Sequence, residues 1–524
     1  MRPASLLLFL LISHSTLFVQ AQSPLKYDAS NYTQYITADE LKQHVYVLAS
    51  DSLEGRETGK SGQYKAAAYL IKQFKALGLK PINKETNGNG YFQNLNIEKI
   101  TWAPSYLIAG NDTLQLFKHF YCKGEALIPQ EISMTAVFAG YGIDTTSYND
   151  YKSMQVSGKA VFILQGEPTV DNVSLITGTT VYSDWNTNWQ KKAVLAYAKG
   201  AAAVFIVSPL KEESFINGVK RLREARNGFS LGLESEFGLE KAFFISEKQM
   251  LNILQADSSR LVRWKSDRSA PKQLRANTPT IRMKIQAHIE KMGTQNVLGV
   301  VEGSDLKNEY IFVSAHYDHL GKKNDSTIYY GADDDGSGTA ALLTMSKAFM
   351  KAKDEGKGPR RSIVFTAFTG EEMGLLGSSY YSSHPIFPVK QSVADLNIDM
   401  IGRIDTLHRG DSNYVYLIGS NRLSTELHQV SEETNNANTH LSLDYTYNDP
   451  KDPNQLYYRS DHYNFAKLGV PVIFYFTGLH EDYHKITDTP DKLMYTKTAT
   501  ITQLVFMTAW QLANQDHRIQ VDVK

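Results

Sequence analysis

The sequence holds a single cysteine, Cys122, in 524 residues. That scarcity excludes intrachain disulfides, thiolate zinc sites and iron–sulfur clusters together. The stretch F-Y-C-K-G sets no base beside the thiol, so Cys122 reads as a semi-buried structural residue. An excess of one charge is missing as well. Lys plus Arg and Asp plus Glu both number 55, for a formal net charge of zero. No basic field is available for nucleic acid or anionic membranes, so any charge-based function must be local. Beyond the amino terminus no apolar run is long enough to span a bilayer.

What is present is ample for folding. Apolar residues make up 42% of the chain and charged residues 21%, enough for two to four domains at roughly 100–200 residues each. Arg2 precedes an apolar run from Leu6 to Ile12, and Val19-Gln20-Ala21 offers a small-residue cleavage signal. This predicts a signal peptide at 1–21, a mature start near Gln22, and export to the periplasm or the extracellular space. No Cys stands at that boundary to take a lipid anchor.

Residues 22–130 open with helical periodicity from Thr37 to Pro81, broken around Glu54-Gly55-Arg56 and closed by Gly78. Between about 131 and 275 short apolar runs such as Ala160–Leu164 and Ala203–Val207 alternate with polar turns. They predict a β-rich module with one helix around Lys191–Lys199. That stretch holds no His, so a metal site confined to it is not expected. Over 276–524 the runs Tyr310–Ala315, Ser362–Phe368, Val393–Ile398 and Val470–Phe476 alternate with helical stretches such as Thr339–Ala352 and Thr500–Asn514. Strands apolar on both faces and separated by helices imply an α/β fold: a largely parallel mixed sheet sandwiched by helices.

In such sheets chemistry collects at the carboxyl ends of the strands. The first run ends in His316-Tyr317-Asp318-His319, the second in Thr369-Gly370-Glu371-Glu372, the third in Asp399, and the fourth enters a loop with His480 and His484. Asp333-Asp334-Asp335 stands just before a helix. Each feature alone is ordinary; their recurrence at one rim predicts a metal site. Oxygen and nitrogen donors without sulfur suit Zn, Mn or Co. Two His and three carboxylates exceed the ligand set of a single catalytic zinc. They fit two ions roughly 3.5–4 Å apart that share one carboxylate. Asp318 can accept the second ring N–H of His316 and fix its tautomer. Neighbouring side chains diverge, so one of Glu371 and Glu372 can bind metal while the other takes a proton from an acidified water.

The motifs H-Y-D-H, G-A-D-D-D-G-S-G, T-G-E-E-M-G-L-L-G-S, N-I-D-M-I-G-R and Tyr483-His484, in that order, resemble the di-zinc exopeptidases of the bacterial leucyl-type aminopeptidase and glutamate carboxypeptidase family. The module at 131–275 looks like the protease-associated domain inserted in many members. The resemblance implies His316 and Asp399 on one zinc, Glu372 and His484 on the other, and Asp334 bridging. It further implies Glu371 as general base, Asp318 as the partner of His316, and Tyr483 as the hydroxyl that steadies the oxyanion. His319, His462 and Arg459 read as supporting or pocket-wall residues. The expected substrates are peptides with a free amino terminus, held by an acidic wall; the oligomeric state is left open.

Other readings remain. A carboxypeptidase or dipeptidase of the same family, a one-zinc glutaminyl cyclase, and a secreted binding protein are alternatives. His480-Glu481-Asp482-Tyr483-His484 also spells H-E-x-x-H, which binds zinc only if a helix puts both His on one face.

Overall fold

The computed structural model describes residues 29–83, 90–124, 126–152, 154–225, 229–234, 241–266 and 278–523. The expected signal peptide lies outside the described residues. Two large sheets dominate.

The first has nine strands: β1 (Phe92–Trp102), β2 (Phe229–Leu233), β3 (Ala287–Val301), β4 (Leu306–His316), β5 (Arg361–Phe368), β6 (Ser392–Ile398), β7 (Tyr414–Ile418), β8 (Ser442–Asp444) and β9 (Val472–Phe476). Their order across the sheet is β2-β1-β3-β5-β4-β6-β9-β7-β8. The four central strands β5, β4, β6 and β9 run parallel. The flanks bring in antiparallel pairs: β1 with β2 and β3, β3 with β5, and β7 with β9. The edge strand β8 pairs with β7 in parallel again, so the sheet is mixed, with a parallel block of four strands at its centre.

Alternation along those strands builds the layers. Ile311, Val313 and Ala315 of β4 face a core shared with α1 (Ala38–Leu48), α2 (Ser61–Leu77), α3 (Gly336–Asp354) and α4 (Tyr495–Asn514), whereas Phe312 faces a second core with Tyr381 and Phe465. Ile311, Phe312 and Val313 each contribute about 1.5–3 kcal/mol when fully buried, so the carboxyl end of β4 is held from both faces. The amino-terminal helices form as their punctuation requires. The Thr37 hydroxyl accepts from the Glu40 N–H at 3.2 Å to start α1, and Gly78, at φ +81°, ends α2.

The second sheet has eight strands, in the order Asp112–Gln115, Tyr106–Ala109, Thr280–Ile285, Ile128–Phe138, Ala160–Leu164, Ala203–Ser208, Ala242–Ser246 and Tyr121–Lys123. It draws strands from both sides of the 131–275 stretch, and β2 leaves that stretch for the edge of the first sheet. Flanking chain contributes because Tyr106–Ala109 and Ile128–Phe138 need Thr280–Ile285 between them as a ladder partner. The expected helix runs over Trp189–Ala198, the stretch adds further helices at Glu212–Ala225, Glu247–Ile253 and Ser258–Ser266, and Cys122 is buried in this sheet's core. Among the described residues no helix is long and apolar enough to cross a membrane.

Candidate metal centre

The parallel strands β4, β5, β6 and β9 share one carboxyl rim, and the residues that follow them meet there. His316 closes β4, Glu371 and Glu372 follow β5 after a short turn, Asp399 follows β6, and the segment after β9 carries Tyr483 and His484. Asp334 arrives from the opposite direction, just before α3.

The three consecutive aspartates take three different jobs. Asp335 caps α3, accepting from Gly338 N–H at 2.8 Å, and also accepts the backbone N–H of His316 and Met400. Asp333 turns away, accepting from Gly402 N–H at 2.6 Å with His480 Nε2 at 3.2 Å. Asp334 alone points into the rim. Its backbone N–H and that of Asp333 donate to Asp488, whose carboxyl is pushed up to about 6 by burial and by Asp333. The close approach of α3 to β6 needs Gly338, because a Cβ there would come within 2.5 Å of the Ile398 carbonyl.

Two ligand-like groups result, and Asp334 belongs to both: His316, Asp334 and Asp399 in one, His319, Asp334 and Glu372 in the other. His316 Nε2 is 3.2 Å from Asp334 Oδ1 and 3.6 Å from Asp399 Oδ1. His319 Nδ1 is 2.8 Å from Glu372 Oε1. His484 Nε2 stands 3.1 Å from Asp334 Oδ2 and 3.0 Å from Glu372 Oε2, so it reaches the second group as well. His319, read from the sequence as a supporting residue, is thus fully buried at the centre.

These residues fit a metal. His316 Nε2, His319 Nδ1 and Glu372 Oε1 are buried and close to partners, yet none makes an aligned hydrogen bond. Donors and acceptors that face a common point instead of each other are what a cation requires. The buried carboxylates carry a desolvation cost that three imidazoles alone offset poorly. Burial also pushes Glu371 well above the usual carboxylate range, against the pull of His316 and with the help of Asp399 and Glu372. Glu371 joins neither group; its Oε2 is 3.9 Å from His316 Nε2.

Residues 296–509 match the model of peptidase family M28. Over this part the chain is similar to the M28 peptidases. Aminopeptidase YwaD of Bacillus subtilis (strain 168) is 34% identical over 134 residues, covering 24% of this chain and 27% of that protein. The probable glutamate carboxypeptidase AMP1 of Arabidopsis thaliana is 27% identical over 344 residues, covering 55% of this chain and 48% of that one. The matches thus span less than half the length of these curated relatives. The solved aminopeptidase from Aneurinibacillus sp. strain AM-1 superposes with a TM-score of 0.51 at 18% identity, covering 95% of this chain and 98% of that one. A likeness at that identity shows the fold.

The M28 segment alone does not hold its centre in place. Arg56, far upstream and fully buried, donates from Nε to the Tyr317 carbonyl at 2.8 Å and from Nη2 to the Gly331 carbonyl at 2.8 Å. Its Nη1 reaches the Leu48 and Tyr330 carbonyls, each at 2.7 Å. One guanidinium therefore ties both ends of the segment between His316 and Asp334 to α1. The adjoining backbone adds His319 N–H to the Arg56 carbonyl at 3.2 Å. Nothing in the sequence flagged Arg56, because its partners are carbonyls and carry no residue signature.

Asp318 departs from expectation. His316 Nδ1 lies 3.2 Å from the Asp318 backbone carbonyl, while the carboxylate is 3.7 Å away. That carboxylate instead accepts the Thr58 hydroxyl at 2.7 Å and the Glu371 backbone N–H at 3.2 Å, which places it under the Glu371 turn. Ser460, also unforeseen, donates to Asp399 Oδ2 at 2.8 Å and accepts from Asn397 at 2.9 Å, so the free oxygen of Asp399 faces His316. Asp461 is buried beside these groups, and burial pushes it up to about 7. The H-E-x-x-H reading fails on geometry. Residues 477–484 are non-helical, and His480 and His484 diverge to Asp333 and Asp334.

His462 lies outside both groups, stacked on Phe474 at 4.8 Å and edge-on to Tyr457. Burial drives its imidazole down to about 3, and that of His44 down to about 4. A folded-state pKa below the unfolded value gives stability that is complete above about pH 6.5 and lost as pH falls toward those values. For His462 this amounts to about 5 kcal/mol at full protonation. The variant His462→Phe, which keeps the stack, should therefore flatten the fall in melting temperature between pH 7 and pH 4 (approximate window). Parallel profiles for both proteins would show that the buried imidazole is not the source.

Proposed function

We propose that the protein is an aminopeptidase holding two zinc ions, one at His316, Asp334 and Asp399, the other at Asp334 and Glu372 with His484 and His319. The observation that carries this reading is Asp334, shared between two donor groups, with Glu371 poised beside them and bound to neither. When bound, such ions polarise a scissile carbonyl and acidify water.

The chain's own residues supply the rest. Glu371, whose proton affinity burial has raised, takes the proton from the attacking water and delivers it to the departing amine. Its backbone N–H donates to Asp318, which anchors the turn that carries the carboxylate. Tyr483, stacked on His484 with ring centroids 3.8 Å apart, lines the same cavity as Asp334, Glu371 and Asp399. From there its hydroxyl donates to the oxygen on which charge develops. The acidic wall takes the substrate's α-amine, and that contact sets cleavage one residue from the amino terminus. The leader read from the sequence would put this activity outside the cytoplasm, and the second sheet reads as an inserted protease-associated-like module.

The test is a pair of substrates. Zinc-reconstituted protein should hydrolyse unblocked aminoacyl anilides and leave their N-acetylated forms essentially untouched. Equal rates on both, or release of residues from the carboxyl end, would replace this reading with the carboxypeptidase alternative.

A further inference from the structure

The cavity at the rim is polarised. Asp334, Glu371 and Asp399 line one part of it, and Leu456, Phe474 and Phe476 another. Arg459 lines it as well. The neighbouring arginines are committed: Arg403 pairs with Asp482 at 3.0 Å, and Arg422 lies 4.3 Å over the Tyr457 ring while bonding the Asn448 carbonyl. Arg459 is different. Its side chain is exposed, and among the described residues its guanidinium meets no carboxylate. Its position is nonetheless well defined. The Arg459 backbone N–H closes a tight turn onto the Leu456 carbonyl at 3.0 Å, and the next residue, Ser460, is tied to Asp399. It is near enough to Tyr483 for its charge to oppose the rise in that phenol's pKa caused chiefly by burial.

An unpaired guanidinium beside apolar walls is a carboxylate receptor. Its planar fork donates to two carboxylate oxygens at once. Arg459 is the only arginine or lysine among the described residues that line this cavity, so it supplies a fixed positive charge there besides the metal ions of the proposed centre. We propose that Arg459 selects substrates bearing a carboxylate within about one residue of the scissile bond. The inference rests on the aminopeptidase reading and adds the substrate class to it. The carboxylate has two sources: the side chain of an acidic amino-terminal residue, or the terminal carboxylate of a dipeptide.

Two isosteric pairs separate the sources: glutamyl against glutaminyl anilide, and Leu-Ala against Leu-Ala amide, each compared by kcat/KM. In the wild type the charged member of one pair should be favoured by tenfold or more. In Arg459→Met that ratio should fall to within about twofold, mainly through KM, and Arg459→Lys, which keeps charge but not the fork, should fall between. A preference in the first pair assigns the acidic side chain, and in the second the dipeptide terminus. Ratios that are the same in wild type and Arg459→Met for both pairs overturn the inference, and so does a wild type that shows no preference. Neither result touches the aminopeptidase reading, which the acetylated substrates test separately.

Discussion

Glu371→Gln should retain both metal ions and lose about 10²–10⁴-fold in kcat, with KM little changed. The substituted amide occupies the same volume and leaves the backbone bond to Asp318 in place, so the turn that carries it does not move. It cannot take a proton from water. Because Glu371 belongs to neither donor group, metal content measured on the purified variant should match the wild type. Glu372→Gln is the internal contrast. Its carboxylate lies between His319 and His484, and losing one charge there should release an ion before it slows any chemical step. Metal loss from Glu371→Gln and retention by Glu372→Gln would mean that the two roles are exchanged.

Asp334→Asn is expected to strip both ions and abolish activity. The carboxylate approaches His316 through Oδ1 and His484 through Oδ2, so one substitution removes a donor from each group. The two imidazoles also hold Asp334 well below the usual carboxylate range, against the effect of burial, a sign of how much negative charge this position keeps. Elemental analysis should fall from about two ions toward none. The zinc-dependent rise in melting temperature should vanish with them, since a ligand that binds only the folded state at 1,000 times its Kd adds about 4 kcal/mol. One ion retained at full occupancy would show that Asp334 serves a single site.

Some of this was written in the order of residues. Tyr310–Ala315, Ser362–Phe368 and Val393–Ile398 are apolar on both faces, and only a covered sheet accommodates that pattern. A residue directly after such a strand has its position set by the strand's end. His316, Glu371, Glu372 and Asp399 could therefore be assigned to one rim without coordinates. Asp334 was legible for a related reason, since a helix start fixes the residues just before it. The helix caps at Thr37 and Gly78 are local by nature.

Contacts over long sequence separations were not legible. Arg56 and the Gly331 carbonyl are 275 residues apart, and Asp318 and Thr58 are 260 apart. Such pairs form only after the amino-terminal helices pack on the sheet, and a carbonyl acceptor leaves no trace in residue identity. The same limit hid which atom of Asp318 faces His316. The angle of a short turn decides between carbonyl and carboxylate, and spacing does not report that angle. H-E-x-x-H marks the boundary between the two kinds of knowledge. Residue types and spacing wrote a zinc motif at His480–His484, but spacing of four aligns side chains only on a helix. Here β9 runs out into a non-helical segment, which sends one imidazole to Asp333 and the other to Asp334. Residue order alone determined which strands and donors exist and the rim where they end. Tertiary packing decided which donors face one another, because that depends on where distant backbone comes to rest.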